Sequence, residues 1–290
     1  MTPAAALLLA AVTVGTWNGE WFPSGRAEHR AAPEIEQGAV RAAARMLREG
    51  LAKADPAGTN DLVLCFNEFR RDIDGTSVAA QLCRELGRAD LRVAVVSGYR
   101  RRDRFDQQQD VIVTTLPVAE ANWSAWKRAR DWSDTPPRGY ARAKVVVSPS
   151  VTATVYAVHL KSNYGQTTEE AAVANRRKRA LAVGQILQQE KPRRGRSAPV
   201  ILAGDLNADR WGEGSNEVFF AELADAGFTD TLGLLPPGRR ATYPGKGRFA
   251  NLALDYIMVR GFAPAGPPCI VSGAGVSDHD AVFVTLDPEP

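Results

Sequence analysis

The sequence predicts a single α/β domain, room enough for one large sandwich, on three observations. Its 290 residues are 44% hydrophobic and 24% charged, the balance of an ordinary globular chain. No segment changes composition enough to mark a linker, and there is no internal repeat. Short apolar runs of the kind found in doubly buried strands alternate with stretches of helical periodicity. The net charge of +3 permits polyanion binding without requiring it. Cys65, Cys83 and Cys269 lack metal-ligand spacing and read as buried free thiols.

Ala11 to Trp17 reads as the first strand, with Asn18 at its end; there an Asn is ordinarily a turn residue. The apolar run Ala4 to Val14 has no Lys or Arg before it and no polar spacer after it, so its second half is expected to be core strand. Its eleven residues are too few to span a bilayer, so no stable membrane insertion is expected. The sequence leaves the compartment open: a cytoplasmic location is the expectation, with secretion the alternative if the run is the remnant of a signal peptide.

Pro33 and the spacing of Ile35, Ala39, Ala43, Met46, Leu47 and Leu51 predict a covering helix. Asp61 to Phe66 is a second buried strand that ends in Asn67, Glu68, Phe69 and Arg70. A carboxylate in that position is costly unless it meets a cation or donors. Glu68 therefore reads either as a magnesium ligand or as the ion-pair partner of Arg70 or Arg71. A helix over 77–86 and strands over 91–97 and 110–116 follow. Between those strands, Arg100, Arg101, Arg102 and Arg104 surround Asp103, either lying along a phosphate backbone or forming a solvated charge run. Trp123, Trp126 and Trp132 occupy a polar stretch up to Pro137 that reads as a loop, its rings stacking on bases or pinning it to the body.

Strands over 144–148 and 152–158 form an antiparallel pair, and the second delivers His159, Lys161 and Asn163 to one side. An imidazole, an ammonium and an amide there can protonate a leaving oxygen and neutralise a phosphate. Thr167 to Glu170 reads as a capping box, and Val173, Ala180, Val183 and Leu187 as the buried stripe of the next helix; Arg176, Arg177, Lys178 and Arg179 are mostly solvated. The strand Val200 to Ala203 breaks at Gly204. Continued extension would send Asp205 and Asn207 to one side, a carboxylate to orient or deprotonate water beside a neutral amide that does not repel an anion. A helix over 217–226 comes next, then a Gly/Pro/Arg segment that is either a substrate flap or an irregular connection. In the strand Leu252 to Val259, buried Asp255 needs a partner, and it is the natural orienter of His279 in the Ser277-Asp278-His279-Asp280 motif before the last strand.

The ordered set T-W-N, N-E-x-R, H-L-K-S, G-D-L-N, L-D-Y-I and S-D-H resembles the endonuclease/exonuclease/phosphatase superfamily, to which deoxyribonuclease I, AP endonucleases, neutral sphingomyelinases and inositol polyphosphate 5-phosphatases belong. The match runs from about Val12 to Leu286. The resemblance implies a four-layer α/β/β/α sandwich of two packed mixed sheets flanked by helices, over one domain spanning 1–290 with its core at about 12–286. It implies that Asn18 and Glu68 bind Mg²⁺ (Mn²⁺ or Ca²⁺ being alternatives) with help from Asp278. Asp205 and Asn207 would position water and phosphate, Asp255 would support His279, and His159 would be the second catalytic imidazole, where AP endonucleases usually carry Tyr. Two departures stand out: Asn67 replaces the usual Gln before the metal-binding Glu, and the usual Arg ahead of L-D-Y is absent, Arg248 being the nearest cation.

Glu68-Phe69-Arg70 resembles the Glu-x-Arg of deoxyribonuclease I, whose arginine enters the minor groove. Arg102-Asp103-Arg104-Phe105 is similar to the segment that supplies the acidic partner of that enzyme's first histidine, which would make Asp103 the orienter of His159. The expected function is a monomeric Mg²⁺-dependent phosphodiesterase, a DNA endonuclease, with Arg70, Arg101, Arg102, Lys161 and Asn163 contacting the nucleic acid. The alternatives are a phosphatase or phospholipase acting on an inositol phosphate or sphingomyelin headgroup, and a nucleic-acid-binding protein with a decayed site.

Overall fold

The computed structural model describes residues 11–23, 32–71, 77–101, 104–105, 108–192, 197–212, 217–245 and 250–289. In chain order the elements are β1 (Val12–Phe22), α1 (Pro33–Ala54), β2 (Asp61–Phe69), α2 (Ala79–Leu86), β3 (Arg92–Val96), β4 (Arg100–Arg101), β5 (Arg104–Phe105), β6 (Gln109–Thr114), β7 (Val118–Ala125), β8 (Gly139–Ser148), β9 (Val151–His159), α3 (Glu169–Gln189), β10 (Val200–Asp205), α4 (Phe219–Asp225), β11 (Thr229–Asp230), β12 (Asp255–Arg260), β13 (Phe262–Pro264), β14 (Cys269–Val271) and β15 (Ala281–Pro288).

Two mixed sheets result. The first runs β13-β15-β1-β2-β6-β3, with β14 also on β15, and the second runs β11-β12-β10-β9-β8-β7. Each has a parallel pair at its heart, β1 with β2 and β10 with β9. These strands are the near-continuous apolar runs of the sequence because both of their faces are covered. Val14, Val63 and Ile112 of the first sheet meet Val155, Leu202 and Ile257 of the second in one core, which continues onto Val183 and Ile186 of α3 and Leu223 of α4. On the first sheet's outer face, Val40, Ala43 and Leu47 of α1 and Leu82 of α2 cover Leu64, Phe66 and Phe283. The α/β/β/α sandwich expected from the sequence is the fold found.

Several local expectations need correction. The stretch read as a loop around Trp123 contains β7, an edge strand exposed along nearly its whole length, which therefore lacks apolar alternation. Ion pairs from Arg142 and Lys144 to Glu120 hold it in place. Trp126 joins the core between the sheets, whereas Trp132 is 81% exposed. The cap of α3 is Thr168, one residue later than the capping box placed it. Its buried stripe is Asn175, Arg179, Ala182, Val183 and Ile186, so one member of the arginine run points inward. Cys65 and Cys83 are buried and Cys269 only half-buried, all three as free thiols. No described helix is long and apolar enough to cross a membrane; residues 1–10, which include most of the N-terminal apolar run, lie outside the described residues.

Candidate active site

Both parallel pairs open toward the same edge of the sandwich. Asn18 and Asn67 are direct partners on β1 and β2, and Asp205 faces His159 across the β10–β9 ladder and Asp255 across β10–β12. The register of the two sheets thus gathers residues scattered from position 18 to position 279. Glu68 sits at φ 57°, Arg138 at 65° and Asn207 at 52°. Left-handed backbone is unfavourable for such side chains, and its concentration at one set of strand ends is characteristic of functional sites.

Asn18 links the sheets. Its Nδ2 donates to Asp205 Oδ2 at 2.9 Å and to Glu68 Oε1 at 3.3 Å, while its Oδ1 accepts from the Glu20 amide. Glu68 Oε2 accepts from Gln108 Nε2 at 2.8 Å. Burial pushes the Glu68 carboxyl upward against the opposing pull of Arg138, Asn18 and His279. Asp205, 1% exposed, is pushed up to about 7 by burial and by Asp255, against His279, the Asn18 amide and the Asn207 N–H. The strand ends at Asp205 rather than continuing to Asn207, as extended pairing would have required. The left-handed turn instead brings Asn207 back, its Nδ2 donating to Asp205 Oδ2 at 3.0 Å and to Leu160 O, and Leu206 enters the core.

The two imidazoles differ in charge. His159 Nε2 lies 3.6 Å from both Glu68 Oε1 and Asp205 Oδ2. Burial first, then the fields of Arg138, His279 and Lys161, hold its pKa well below the usual histidine value, so it is neutral. Its Nδ1 is buried with no partner among the described residues. Burial also pulls on His279, but Asp255, Asp205 and Asp278 outweigh it and raise its pKa to about 10. Asp255 Oδ2 lies 2.7 Å from His279 Nδ1 and accepts from Thr242 Oγ1 at 2.8 Å. The ring of Tyr243 meets His279 edge-on at 5.3 Å, and Trp17 Nε1 donates to the His279 carbonyl.

Other expected residues fall in different places. Lys161 is half-buried and its Nζ donates to Ser162 O at 2.7 Å; burial, Arg138, Lys178 and Arg179 lower its pKa. Asn163 is exposed, its Oδ1 accepting from Arg179. Asp278 stands at the rim, Oδ1 3.9 Å from His279 Nε2. The structure overturns the expectation for Arg70: it is 3% exposed and forms a two-pronged pair with Glu36 of α1, so it is not a groove-reading side chain. Arg102, Asp103 and Arg248 lie outside the described residues, as does the side chain of Arg101.

Residues that sequence reasoning passed over complete the site. Arg138 donates to the carbonyls of His159 and Leu160 and to Gln108 Oε1, which links the His159 strand to the Glu68 side. It fell between the stretch read as a loop, which ended at Pro137, and the strand expected over 144–148, with no sequence signal. Arg179 is 1% exposed, paired with Glu217, and donates to Lys161 O at 2.6 Å; Asn175 Nδ2 donates to Ser162 O at 3.1 Å. The only available signal was the helical period, which turns one of four consecutive cations inward.

The donors suit a hard divalent cation. Glu68, a partly buried carboxylate with a raised pKa, lies against the Asn18 amide, and the fully buried Asp205 on the other side of that amide adds negative charge, so a cation held by Glu68 and Asn18 would be attracted there. Asp205, Asp255 and His279 also lie within 4.8 Å of one another. There, however, the charge is already balanced by the proton on His279, so that trio is a proton-holding group rather than a ligand set.

Residues 15–279 match the family model described as the Endonuclease/Exonuclease/phosphatase family. No curated protein matches the chain. Among solved structures, an endonuclease/exonuclease/phosphatase family protein from Leptotrichia buccalis superimposes with a TM-score of 0.63 at 16% identity, covering 95% of this chain and 99% of the other. The endonuclease/exonuclease/phosphatase from Beutenbergia cavernae gives 0.68 at 16%, covering 97% and 72%. Sphingomyelinase C from Streptomyces griseocarneus gives 0.54 at 19%, covering 95% and 99%. At these identities the likeness establishes the shared fold.

Proposed function

The chain belongs to the endonuclease/exonuclease/phosphatase family, whose members are phosphoesterase hydrolases, and we propose that it is a metal-dependent phosphodiesterase, specifically a DNA endonuclease. The observation that carries this reading is the meeting of Glu68, Asp205 and two histidines, one neutral and one protonated, around Asn18. Glu68 and Asn18, with Asp278 assisting, would hold Mg²⁺, and when bound the ion supplies charge that offsets the phosphoryl oxygens.

Asp205 and Asn207 orient the attacking water in line with the leaving oxygen. His159, neutral in the resting chain, is able to take a proton from it. His279 carries a proton that Asp255 keeps in place, available to the departing alkoxide. An alkoxide needs that proton, which favours an alkyl phosphodiester over an activated ester. Positive charge in the site is modest: the guanidinium of Arg138 is already engaged by carbonyls, and Lys161 is the second nearby cation. That amount suits the single charge of a diester better than a polyphosphorylated headgroup. DNA is favoured within diesters by the arginines at positions 100, 101, 102 and 104, whose like charges suit a polyanion extending beyond the scissile bond.

The test is hydrolysis of plasmid DNA, RNA, sphingomyelin, inositol phosphates and a small chromogenic phosphodiester, each with Mg²⁺ and with chelator. Nicking of plasmid that stops in chelator is expected. Turnover of sphingomyelin or an inositol phosphate with plasmid intact would replace the nuclease reading with the headgroup one. Inactivity on every substrate, with metal bound, would favour a binding protein.

A further inference from the structure

We propose that Asn67 is the positioning residue that sets the spacing between Glu68 and Asp205, acting through the Asp205 backbone rather than through substrate; this rests on the phosphodiesterase reading above. Asn67 is wholly buried on β2, immediately before Glu68. Its Oδ1 accepts from the backbone N–H of Asp205, on the opposite sheet, at 2.9 Å. Its Nδ2 donates to Asp110 Oδ1 at 2.7 Å. An N–H on one side and a carboxylate on the other permit only one orientation of the amide. Asp110 is itself fixed, its Oδ2 accepting from Tyr99 OH at 3.1 Å and its N–H donating to Ser97 Oγ at 2.9 Å.

Gly204 makes this reach feasible. Its φ of 140° turns the following peptide out of ordinary strand geometry, and a Cβ there would lie 2.0 Å from Val158 O and 3.0 Å from Asn67 Oδ1. The residue beside one carboxylate therefore grips the main chain of the other, while Asn18, its partner on β1, holds the two carboxyl groups themselves. Asn is the length that fits here, and a longer amide would push the two strands apart.

Displacing a reacting group by about 1 Å costs roughly a hundredfold in rate. The comparison is Asn67→Ser, which shortens the reach, and Asn67→Gln, which lengthens it, against Tyr99→Phe, which removes one hydrogen bond from the same Asp110 without touching Asp205. Each is measured for melting temperature, Mg²⁺ affinity by calorimetry, and kcat and KM on the small phosphodiester. The Asn67 variants should lose kcat by about a hundredfold with KM and Mg²⁺ affinity nearly unchanged, while Tyr99→Phe should lose melting temperature but retain kcat. If kcat falls with melting temperature alike in all three, Asn67 is structural only and the proposal fails. If wild type hydrolyses nothing, the functional reading fails instead, and a crystal structure of Asn67→Ser decides the spacing: an unmoved Asp205 relative to Glu68 overturns it.

Discussion

Replacing Asp255 by Asn removes a charge without changing shape, and its effect can be worked out from the His279 pair. The His279 pKa lies at about 10 in the fold against 6.5 without its surroundings. At 1.36 kcal/mol per unit, the surroundings as a whole favour the protonated ring by about 5 kcal/mol, the pull of the three carboxylates less the cost of burial. Asp255 is the largest favourable contributor and the only one in contact at 2.7 Å, so about 2–3 kcal/mol is its order of magnitude. Because the folded pKa is raised, this stability is fully present below the unfolded value near 6.5 and is lost as pH rises through about 10. Urea unfolding in chelator at pH 6, 8 and 10 should therefore show wild type losing about 2–3 kcal/mol more than Asp255→Asn across that range. NMR titration has only His29, His159 and His279 to resolve, and His279 should move downward by about two units in the variant. Turnover should drop by about a thousandfold or more, as for other His–Asp pairs that lose the charge that fixes the tautomer. An identical pH dependence in both proteins, or a His279 still titrating near 10, would refute the reasoning.

Glu68→Gln should weaken Mg²⁺ binding by about tenfold or more, with activity recovering at high metal, since one charged oxygen donor is lost and its shape kept; unchanged calorimetric affinity would place the ion elsewhere. Arg179→Met leaves Glu217 buried without its cation and removes a donor from Lys161 O, so it should destabilise by about 3–5 kcal/mol. Arg179→Met with Glu217→Met should regain most of that stability while kcat/KM stays low, because Lys161 O remains without its guanidinium donor; a double variant with normal kcat/KM would limit Arg179 to packing.

The strands that build the site were legible because each is buried on both faces and carries at one end a polar residue that the core cannot accept, Asp205 closing Val200–Asp205 and Asp255 opening Asp255–Arg260. The Asp255–His279 contact could be anticipated because a buried carboxylate requires a partner, and only two histidines fall in motifs. What escaped reading was polar structure without a pattern. β7 is exposed on both faces and shows no period, and Arg138, immediately ahead of β8, sits in a connection with no pattern either. The charge run of α3 hid Arg179, since sequence does not say which of several like residues meets a carboxylate from α4's approach. Arg70 illustrates the opposite error: a short local likeness suggested a surface role, but Glu36, more than thirty residues away, holds it inside.

β15 lies between β13 and β1, and Thr13 and Thr285 touch across 272 residues of chain. Closing a pairing of that separation is slow, because the loop entropy is spent before any contact compensates it. The centre of the first sheet thus waits on a segment directly following His279, while the other catalytic groups belong to strands that must already be docked. A nascent chain passing through its folding intermediates would hold Glu68, Asp205 and His279 far apart. The assembled site then arrives with the final cooperative step, so a partly folded molecule carries these groups without their convergence.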